Sequence, residues 1–413
     1  MTTPLGKPLA GLRVVHLGGI GPGPFACMML ADMGAQVIRL QRPGDRDRPA
    51  NPVLDRGIRS VVVDLKDPRG VAVALRILAS ADACVEGFRP GVAERLGLGP
   101  AEVHRINAAL VYGRMTGYGQ TGPLASQPGH DINYIATSGV LHGLGRAGEP
   151  PAFPANLVGD FGGGGMLLAL GLTAGILRAR ASGTGCVVDA AMIDGSSLLW
   201  SMMYGFEARG QWSAERGVNE LDSGAPYYNV YETSDGEYVA VGAIESQFFA
   251  ALVTTLGIEL PQPLPEFDHR DQANWPLLAE ALSTAFRART LAQVRQLFDG
   301  VSACVTPVLN RRQAAEHPHN RQRSLFLDSP EALHPAPAPR FGAVDADSGA
   351  VAYPEPELPA PAPASGADTA AVLAAAGFPQ AEIDELVAAR VLAGPVATPT
   401  QLMGVDRRAS NGG

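Results

Sequence analysis

The sequence has little lysine and little cysteine, and these shortages narrow what the protein can be. Only two of its 413 residues are lysines, Lys7 and Lys66. The four cysteines show no close pair and no metal-type spacing, so we expect packed thiols rather than a disulfide framework or a metal site. These are Cys27, Cys84, Cys186 and Cys304.

Long apolar runs are also missing. No stretch of about 18 uninterrupted apolar residues occurs, which predicts that no segment spans a membrane. The first residues lack the charged-then-apolar layout of a secretory signal peptide. The histidines show no ligand spacing either, and the proline between His317 and His319 favours a surface turn over a metal site. We therefore expect a cytoplasmic protein without a bound metal.

Charge is distributed unevenly along the chain. Residues 1–100 hold thirteen Lys or Arg against nine Asp or Glu, a net charge of +4. Because the whole chain carries −9, the remainder carries −13. This pattern predicts that the N-terminal part binds an anion. Nucleic acid is excluded as that anion, because binding it would demand a stronger basic excess and an element that reads a groove, and the sequence shows neither.

The first half of the chain alternates between strand and helix patterns. Strands are predicted over 12–17, 35–40, 60–63, 83–86 and 110–115, and helices over 25–33, 68–80 and 100–107. Such alternation predicts a parallel sheet covered by helices. A turn is predicted over 18–24, and the segment 21–26 imitates a dinucleotide fingerprint, but Pro22 and Pro24 lack the N–H groups that would cradle a pyrophosphate.

From residue 225 the periodicity changes to two. The segments 227–232 and 237–241 flank Thr-Ser-Asp-Gly and predict a hairpin. Helices are predicted over 246–256, 275–288 and 291–299, and a Pro- and Ala-rich strap without regular elements over 330–366. Two short helices are predicted over 369–376 and 380–389. We divide the chain into a large domain (1–224), a small α+β domain (225–325), a return segment packing on the large domain (326–398) and a disordered tail (399–413).

Two predicted glycine-flanked turns, each ahead of an apolar stretch, carry residues capable of acid/base chemistry. Residues 129–134 read Gly-His-Asp-Ile-Asn-Tyr, and residues 159–165 read Gly-Asp-Phe-Gly-Gly-Gly-Gly. An imidazole exchanges protons near neutrality, so His130 and Asp160 are candidates for a two-base proton-transfer site. Two structural alternatives remain. Asp160 can cap a helix predicted over 166–177, and His130 can be a hydrogen-bonded group in a turn.

These segments, with several others, resemble a known family. The others are 11–17, 89–99, 156–164, 188–195 and 224–228. Together they resemble the alpha-methylacyl-CoA racemases of the class III CoA-transferase (CaiB/BaiF) superfamily, and the similarity extends from Leu9 to about Asn320. The resemblance implies an interlocked homodimer, in which each chain has a large Rossmann-like domain and a small domain, and the active site is shared between subunits.

The resemblance also implies roles for individual residues. His130 and Asp160 would be the two acid/base groups, and Glu245 would come from the partner subunit. Independently of the resemblance, an enolate oxygen formed between the two proton transfers needs hydrogen-bond donors, and the backbone N–H of Asp131 is our candidate. Residues that would contact the CoA moiety are Ile20, Arg42, Val63, Asp64, Leu65, Lys66, Gly87, Phe88, Arg89, Arg95, Gly129, Ile132, Asn133 and Tyr134. No cofactor beyond that CoA moiety is expected.

Three functions follow from these residues. The first is racemisation of a 2-methylacyl-CoA thioester by proton transfer through an enolate. The alternative is CoA transfer to a carboxylate, in which Asp160 attacks the thioester and His130 has no required role. The third is a CoA-binding scaffold without activity, which would require His130 and Asp160 to be buried caps. The acyl chain is not identified, since Met192, Met202 and Met203 can either line its site or fill a core.

Overall fold

The chain forms two compact units. The structure, a computed structural model, describes residues 6–45, 47, 49–264, 266–345 and 348–395. Described residues of the first unit come from Met1–Ile135, Asn156–Leu199 and Gln322–Gly413, and those of the second from Ala136–Ala155 and Trp200–Arg321. The predicted tail, 399–413, lies outside the described residues.

A seven-stranded sheet organises the first unit. Its strands are β1 (Arg13–His16), β2 (Gln36–Gln41), β3 (Ile58–Val63), β4 (Ala83–Glu86), β5 (Val111–Thr116), β6 (Cys186–Ala191) and β14 (Leu392–Ala393). The order is β14-β3-β2-β1-β4-β5-β6, with β14 antiparallel to β3 and every other pair parallel. Strands three, two, one, four, five and six thus follow the doubly wound order of Rossmann-like folds. The predicted mixed α/β fold with a large parallel sheet is confirmed.

Both faces of this sheet are covered, as a parallel sheet requires. Successive side chains of a strand point to opposite faces, so Val14 and Val15 belong to different apolar cores. The core around Val15 includes the helix Pro68–Leu78 and the two C-terminal helices, and the core around Val14 includes the helices Pro22–Asp32 and Leu167–Ser182. The helices of this unit are α1 (Pro22–Asp32), α2 (Pro68–Leu78), α3 (Val92–Arg95), α4 (Pro100–Ile106), α5 (Asp131–Thr137), α6 (Leu167–Ser182), α7 (Met192–Leu199), α14 (Thr369–Ala375) and α15 (Gln380–Ala388).

The glycine run does not form the predicted turn. Residues Leu157–Met166 form a π-helix that continues directly into α6, so the expectation that the helix begins at residue 166 is wrong. Tertiary packing explains the difference. A methyl group on Gly195 of α7 would lie 1.8 Å from the carbonyl oxygen of Gly163, so only glycine lets the two backbones approach this closely.

The same continuous helix, Leu157–Ser182, has the length and hydropathy of a membrane span. Of its most apolar window, 44% is buried inside the protein. One helix of this kind is weak evidence for a span, because an interior helix meets the same criteria. The prediction that no segment crosses a membrane stays a prediction.

The second unit has its own sheet and core. Strands β7 (Tyr228–Glu232), β8 (Tyr238–Gly242) and β9 (Val305–Pro307) form an antiparallel sheet, which confirms the predicted hairpin. Phe249, Leu282 and Phe286 are fully buried in its core. Its helices are α8 (Ser201–Glu207), α9 (Ser246–Leu256), α10 (Trp275–Arg287), α11 (Leu291–Leu297), α12 (Arg311–Glu316) and α13 (Pro318–Gln322).

The chain returns to the first unit after residue 321. Short strand pairs, β10 (Phe326–Asp328) with β11 (Leu333–Pro335) and β12 (Ala343–Val344) with β13 (Val351–Ala352), correct the prediction that 330–366 lacks regular elements. Asp368 then accepts a hydrogen bond from the Ser60 N–H at 2.9 Å, and β14 pairs with β3. Edge strand β3 is therefore covered by residues more than 300 positions later.

Candidate active site

A cavity of about 500 Å³ lies at the carboxyl ends of the parallel strands. Gly19 to Gly23 after β1, Gly87 to Pro90 after β4 and Met115 to Tyr118 at the end of β5 contribute to its walls. The chain reverses its winding between β1 and β4, and such a switch point is where doubly wound sheets bind ligands. The topology therefore accounts for the position of the cavity.

Asp160 lies in this cavity, in the first turn of the π-helix. Its Oδ2 accepts a hydrogen bond from Nδ2 of Asn156 at 3.1 Å, and its carboxyl group faces Gly21, on which a methyl group would lie 3.2 Å from Oδ2. The helix begins at Leu157 and no side chain caps it, so Asp160 is not an N-cap. Asp160 therefore lines the cavity without capping the helix.

Burial raises the pKa of Asp160 above its ordinary value. The hydrogen bond from Asn156 acts in the opposite sense, the nearby carboxylate of Asp131 raises the pKa further, and His130 lowers it. A carboxyl group whose pKa is raised holds its proton to higher pH. It can then both donate and accept a proton closer to neutrality.

His130 lines the same cavity and is exposed. Its backbone is fixed by Asn133, whose side-chain oxygen accepts the His130 N–H at 3.0 Å and whose own N–H donates to the His130 carbonyl at 2.8 Å. These bonds hold the turn that leads into α5. Because the imidazole also acts electrostatically on Asp160, the structure brings the two predicted acid/base residues together. A scaffold with both groups buried as caps does not fit this arrangement.

Two tyrosines form one wall of the cavity. The rings of Tyr118 and Tyr134 meet edge to face with centroids 5.0 Å apart, and the Tyr134 hydroxyl donates to the carbonyl of Gly129. Burial, followed by the charge of Asp160, raises the pKa of Tyr134 to about 12. Tyr134 is therefore a neutral hydrogen-bond donor at physiological pH.

The sequence model of CoA-transferase family III matches residues 9–369. The mouse protein called alpha-methylacyl-CoA racemase is 43% identical over 385 residues, which cover 93% of this chain and 97% of the relative. The chain belongs to CoA-transferase family III. Human succinyl-CoA:glutarate CoA-transferase is 29% identical over 78% of this chain and 76% of its own. The crystal structure of Rv3272 from M. tuberculosis has a TM-score of 0.69 at 27% identity, covering 88% of this chain and 98% of the other.

About half of the predicted CoA contacts line the cavity of this family III chain. These are Ile20, Gly87, Phe88, Arg89, Gly129, Asn133 and Tyr134. Arg42, Val63 to Lys66, Arg95 and Ile132 are not among the lining residues. Arg42 is 71% exposed and paired with Asp45 at 3.0 Å, and Lys66 and Arg95 are exposed cations. The cavity thus groups half of the predicted contacts with His130 and Asp160, while the cations Arg42, Lys66 and Arg95 are exposed outside its lining.

Glu245 belongs to the second unit. It is exposed and precedes α9, where its backbone takes the N-cap position without a hydrogen bond from its side chain to the helix. Its predicted role, in the active site of a partner subunit, stays a prediction.

Sequence reasoning missed Asn156, which donates to the carboxyl group of Asp160. The signal was present in principle, since Asn156 and Asp160 are four residues apart and a helical segment brings such residues to one face. The glycine run concealed it, because it predicted a turn where the family III chain has a helix. Among the described residues, no group of three His, Cys, Asp or Glu side chains could hold a metal ion.

Proposed function

We propose that the protein is a racemase that interconverts (2R)- and (2S)-2-methylacyl-CoA thioesters. The observation that carries this proposal is the placement of His130 and Asp160 in one cavity, with the pKa of the carboxyl group raised by burial. The 43% identity to a relative called alpha-methylacyl-CoA racemase, over nearly its whole length, supports the same activity.

Racemisation at carbon 2 removes a proton from one face and returns one to the other, so two groups are needed. When His130 is neutral and Asp160 protonated, the imidazole accepts the proton, an enolate forms, and the carboxylic acid donates its proton to the opposite face. The reverse charge states serve the other enantiomer. In this proposal the backbone N–H of Asp131 stabilises the enolate oxygen, by about 3 kcal/mol as in other oxyanion sites.

The CoA moiety would extend from the cavity along basic residues of the N-terminal part. Arg89 lines the cavity, and the side chains of Arg42, Lys66 and Arg95 are exposed outside its lining. These cations suit the phosphates of CoA, which agrees with the net positive charge of residues 1–100. Glu245 would complete the site from a partner subunit.

Incubation of the protein with a 2R-methylacyl-CoA in D₂O tests the proposed function. We expect deuterium to enter at carbon 2 and the (2S) enantiomer to accumulate, because the proton returned comes from a group that exchanges with solvent. Mass spectrometry and chiral analysis of the recovered acid measure both. If deuterium never appears at that carbon while CoA passes to a free carboxylic acid, the racemase proposal is wrong.

CoA transfer is the second candidate, because the Asp160 carboxyl group that lines the cavity can also act as a nucleophile. In that reaction Asp160 attacks the thioester carbonyl, the CoA thiolate leaves, and a mixed anhydride remains on the carboxyl group. Hydroxylamine would trap this anhydride. Trapping during turnover favours transfer, and its failure in a racemising sample favours proton transfer.

The protein is further proposed to be a homodimer. Apolar side chains on or beside α6 are exposed in the single chain, among them Leu170 at 66% and Leu177 at 68%. Exposed apolar side chains on one helix indicate a surface that another chain covers. Light scattering is expected to give twice the mass of the 43.0 kDa chain. A monomer at micromolar concentration would contradict the dimer and leave Glu245 without a role at the site.

A further inference from the structure

The carboxylate of Asp131 lies against the backbone that carries Asp160. Its Oδ1 accepts the N–H of Asp160 at 2.6 Å, and Asp131 is 5% exposed. A hydrogen bond from a backbone N–H to a charged acceptor is short and stronger than a neutral one. The peptide N–H of Asp160 is therefore fixed from the first residue of α5.

Gly159 makes this contact possible. A methyl group on Gly159 would lie 2.6 Å from Oδ1 and 2.9 Å from Cγ of Asp131. Both distances are shorter than van der Waals contact, so any larger residue would push the carboxylate away from the Asp160 N–H. The contact thus depends on Asp131 and on the consecutive residues Gly159 and Asp160, which meet Asp131 only in the folded chain.

The other oxygen of Asp131 is buried without a hydrogen-bond partner among the residues that the structure describes. No ion pair joins Asp131 to a Lys or Arg side chain in that part of the chain either. The charge of a carboxylate without a cationic partner raises the pKa of a neighbouring carboxyl group, here by less than burial does. Asp160 is that neighbour.

The π-helix that carries Asp160 packs against α1, α6, α7, β5 and β6, and the charged groups on these elements have other partners. The ion pairs are those of Asp32 on α1 with Arg56, of Arg114 on β5 with Glu86 and Glu94, and of Arg180 on α6 with Asp82. The Arg178 guanidinium of α6 donates a hydrogen bond to the Gly185 carbonyl. Asp194 of α7 acts electrostatically on Asp189 of β6. The groups that act on the Asp160 carboxyl are thus Asn156, Asp131 and His130.

We propose that the Asp131 side chain is a positioning residue for Asp160, holding its peptide N–H from the first residue of α5. This inference rests on the proposed racemase function. Asp131 directly follows His130, so the start of α5 carries one acid/base group and positions the other.

Paired substitutions of Asp131 and Asn156 test the proposal through the pH profile of kcat/KM. The charge of Asp131 raises the pKa of Asp160, so Asp131→Asn should move the acidic limb to lower pH. The hydrogen bond from Asn156 lowers that pKa, so Asn156→Ala should move the same limb to higher pH. We also expect Asp131→Asn to lower kcat by up to about 10²-fold with little change in KM, because Asp160 is less well oriented.

Hydrogen exchange provides a readout that does not depend on turnover. We expect Asp131→Ala to lose protection at the Asp160 amide, and Asn156→Ala to retain it, because only Asp131 accepts that N–H. Suppose that the wild type racemises, but that Asp131→Asn and Asn156→Ala leave the acidic limb of the pH profile unmoved or shift it in the same direction. The positioning role of Asp131 is then wrong. If the wild type does not racemise, the proposed function fails, and the exchange measurement still decides whether Asp131 holds Asp160.

Discussion

Replacing Asp160 with Asn is expected to lower the rate of racemisation by about 10³-fold, within the range that a general acid or base contributes. The amide keeps the shape of the carboxyl group but neither accepts nor donates the proton at carbon 2. The amide also lacks the nucleophilic oxygen that CoA transfer requires, so the variant should lose activity whether the reaction is racemisation or CoA transfer. Chiral analysis of 2-methylacyl-CoA over time measures the loss.

A carboxylate remote from the cavity is the control for Asp160→Asn. Asp384 on α15 is exposed and accepts a hydrogen bond from Gln380, so Asp384→Asn should keep the wild-type rate. Thermal unfolding of both variants checks that the fold is kept. An Asp160→Asn variant that retains full activity and a normal unfolding temperature would remove Asp160 from the mechanism.

Replacing His130 with Ala is expected to lower the rate of racemisation on the order of 10²-fold or more. The imidazole is exposed in the cavity and packs in no core, so stability should change little. Asp160 can still remove the proton from the enantiomer that it faces. We therefore expect the variant to exchange the carbon 2 proton of one enantiomer with D₂O while the configuration is retained.

This variant separates the two candidate reactions, because transfer needs only the nucleophile. If His130→Ala loses racemisation but moves CoA to a carboxylate at the wild-type rate, the chain is a transferase. The matched control is His319→Ala, since His319 is exposed on α13 in the second unit. Wild-type racemisation by His130→Ala would leave the imidazole without a role.

Elements with complete local signals were predicted closely. Strand β4 and helix α9 begin and end at the predicted residues, because apolar periodicity and flanking turn residues lie within each segment. The hairpin of β7 and β8 was found from its Thr-Ser-Asp-Gly turn. Pattern reasoning succeeds where the information that determines an element lies inside it.

The glycine run shows where such reasoning fails. Four consecutive glycines predict a turn, but Gly163 packs backbone to backbone on Gly195, and this contact lies outside the segment. His130 and Asp160 could be named as candidates from the sequence because their residue types are capable of acid/base chemistry. The contacts of Asp131 and Asn156 with Asp160 could not, because they exist only once the helix is formed.

Strand β14 affects how the protein is made. Its hydrogen bonds complete the edge next to β3, so this sheet cannot be finished until Ala393 has left the ribosome. During synthesis, β3 presents unpaired backbone groups to any other extended chain. The nascent first unit should therefore depend on chaperones more than a protein whose sheet closes early, and nonsense mutations even a few codons before β14 should yield aggregates rather than a shortened enzyme.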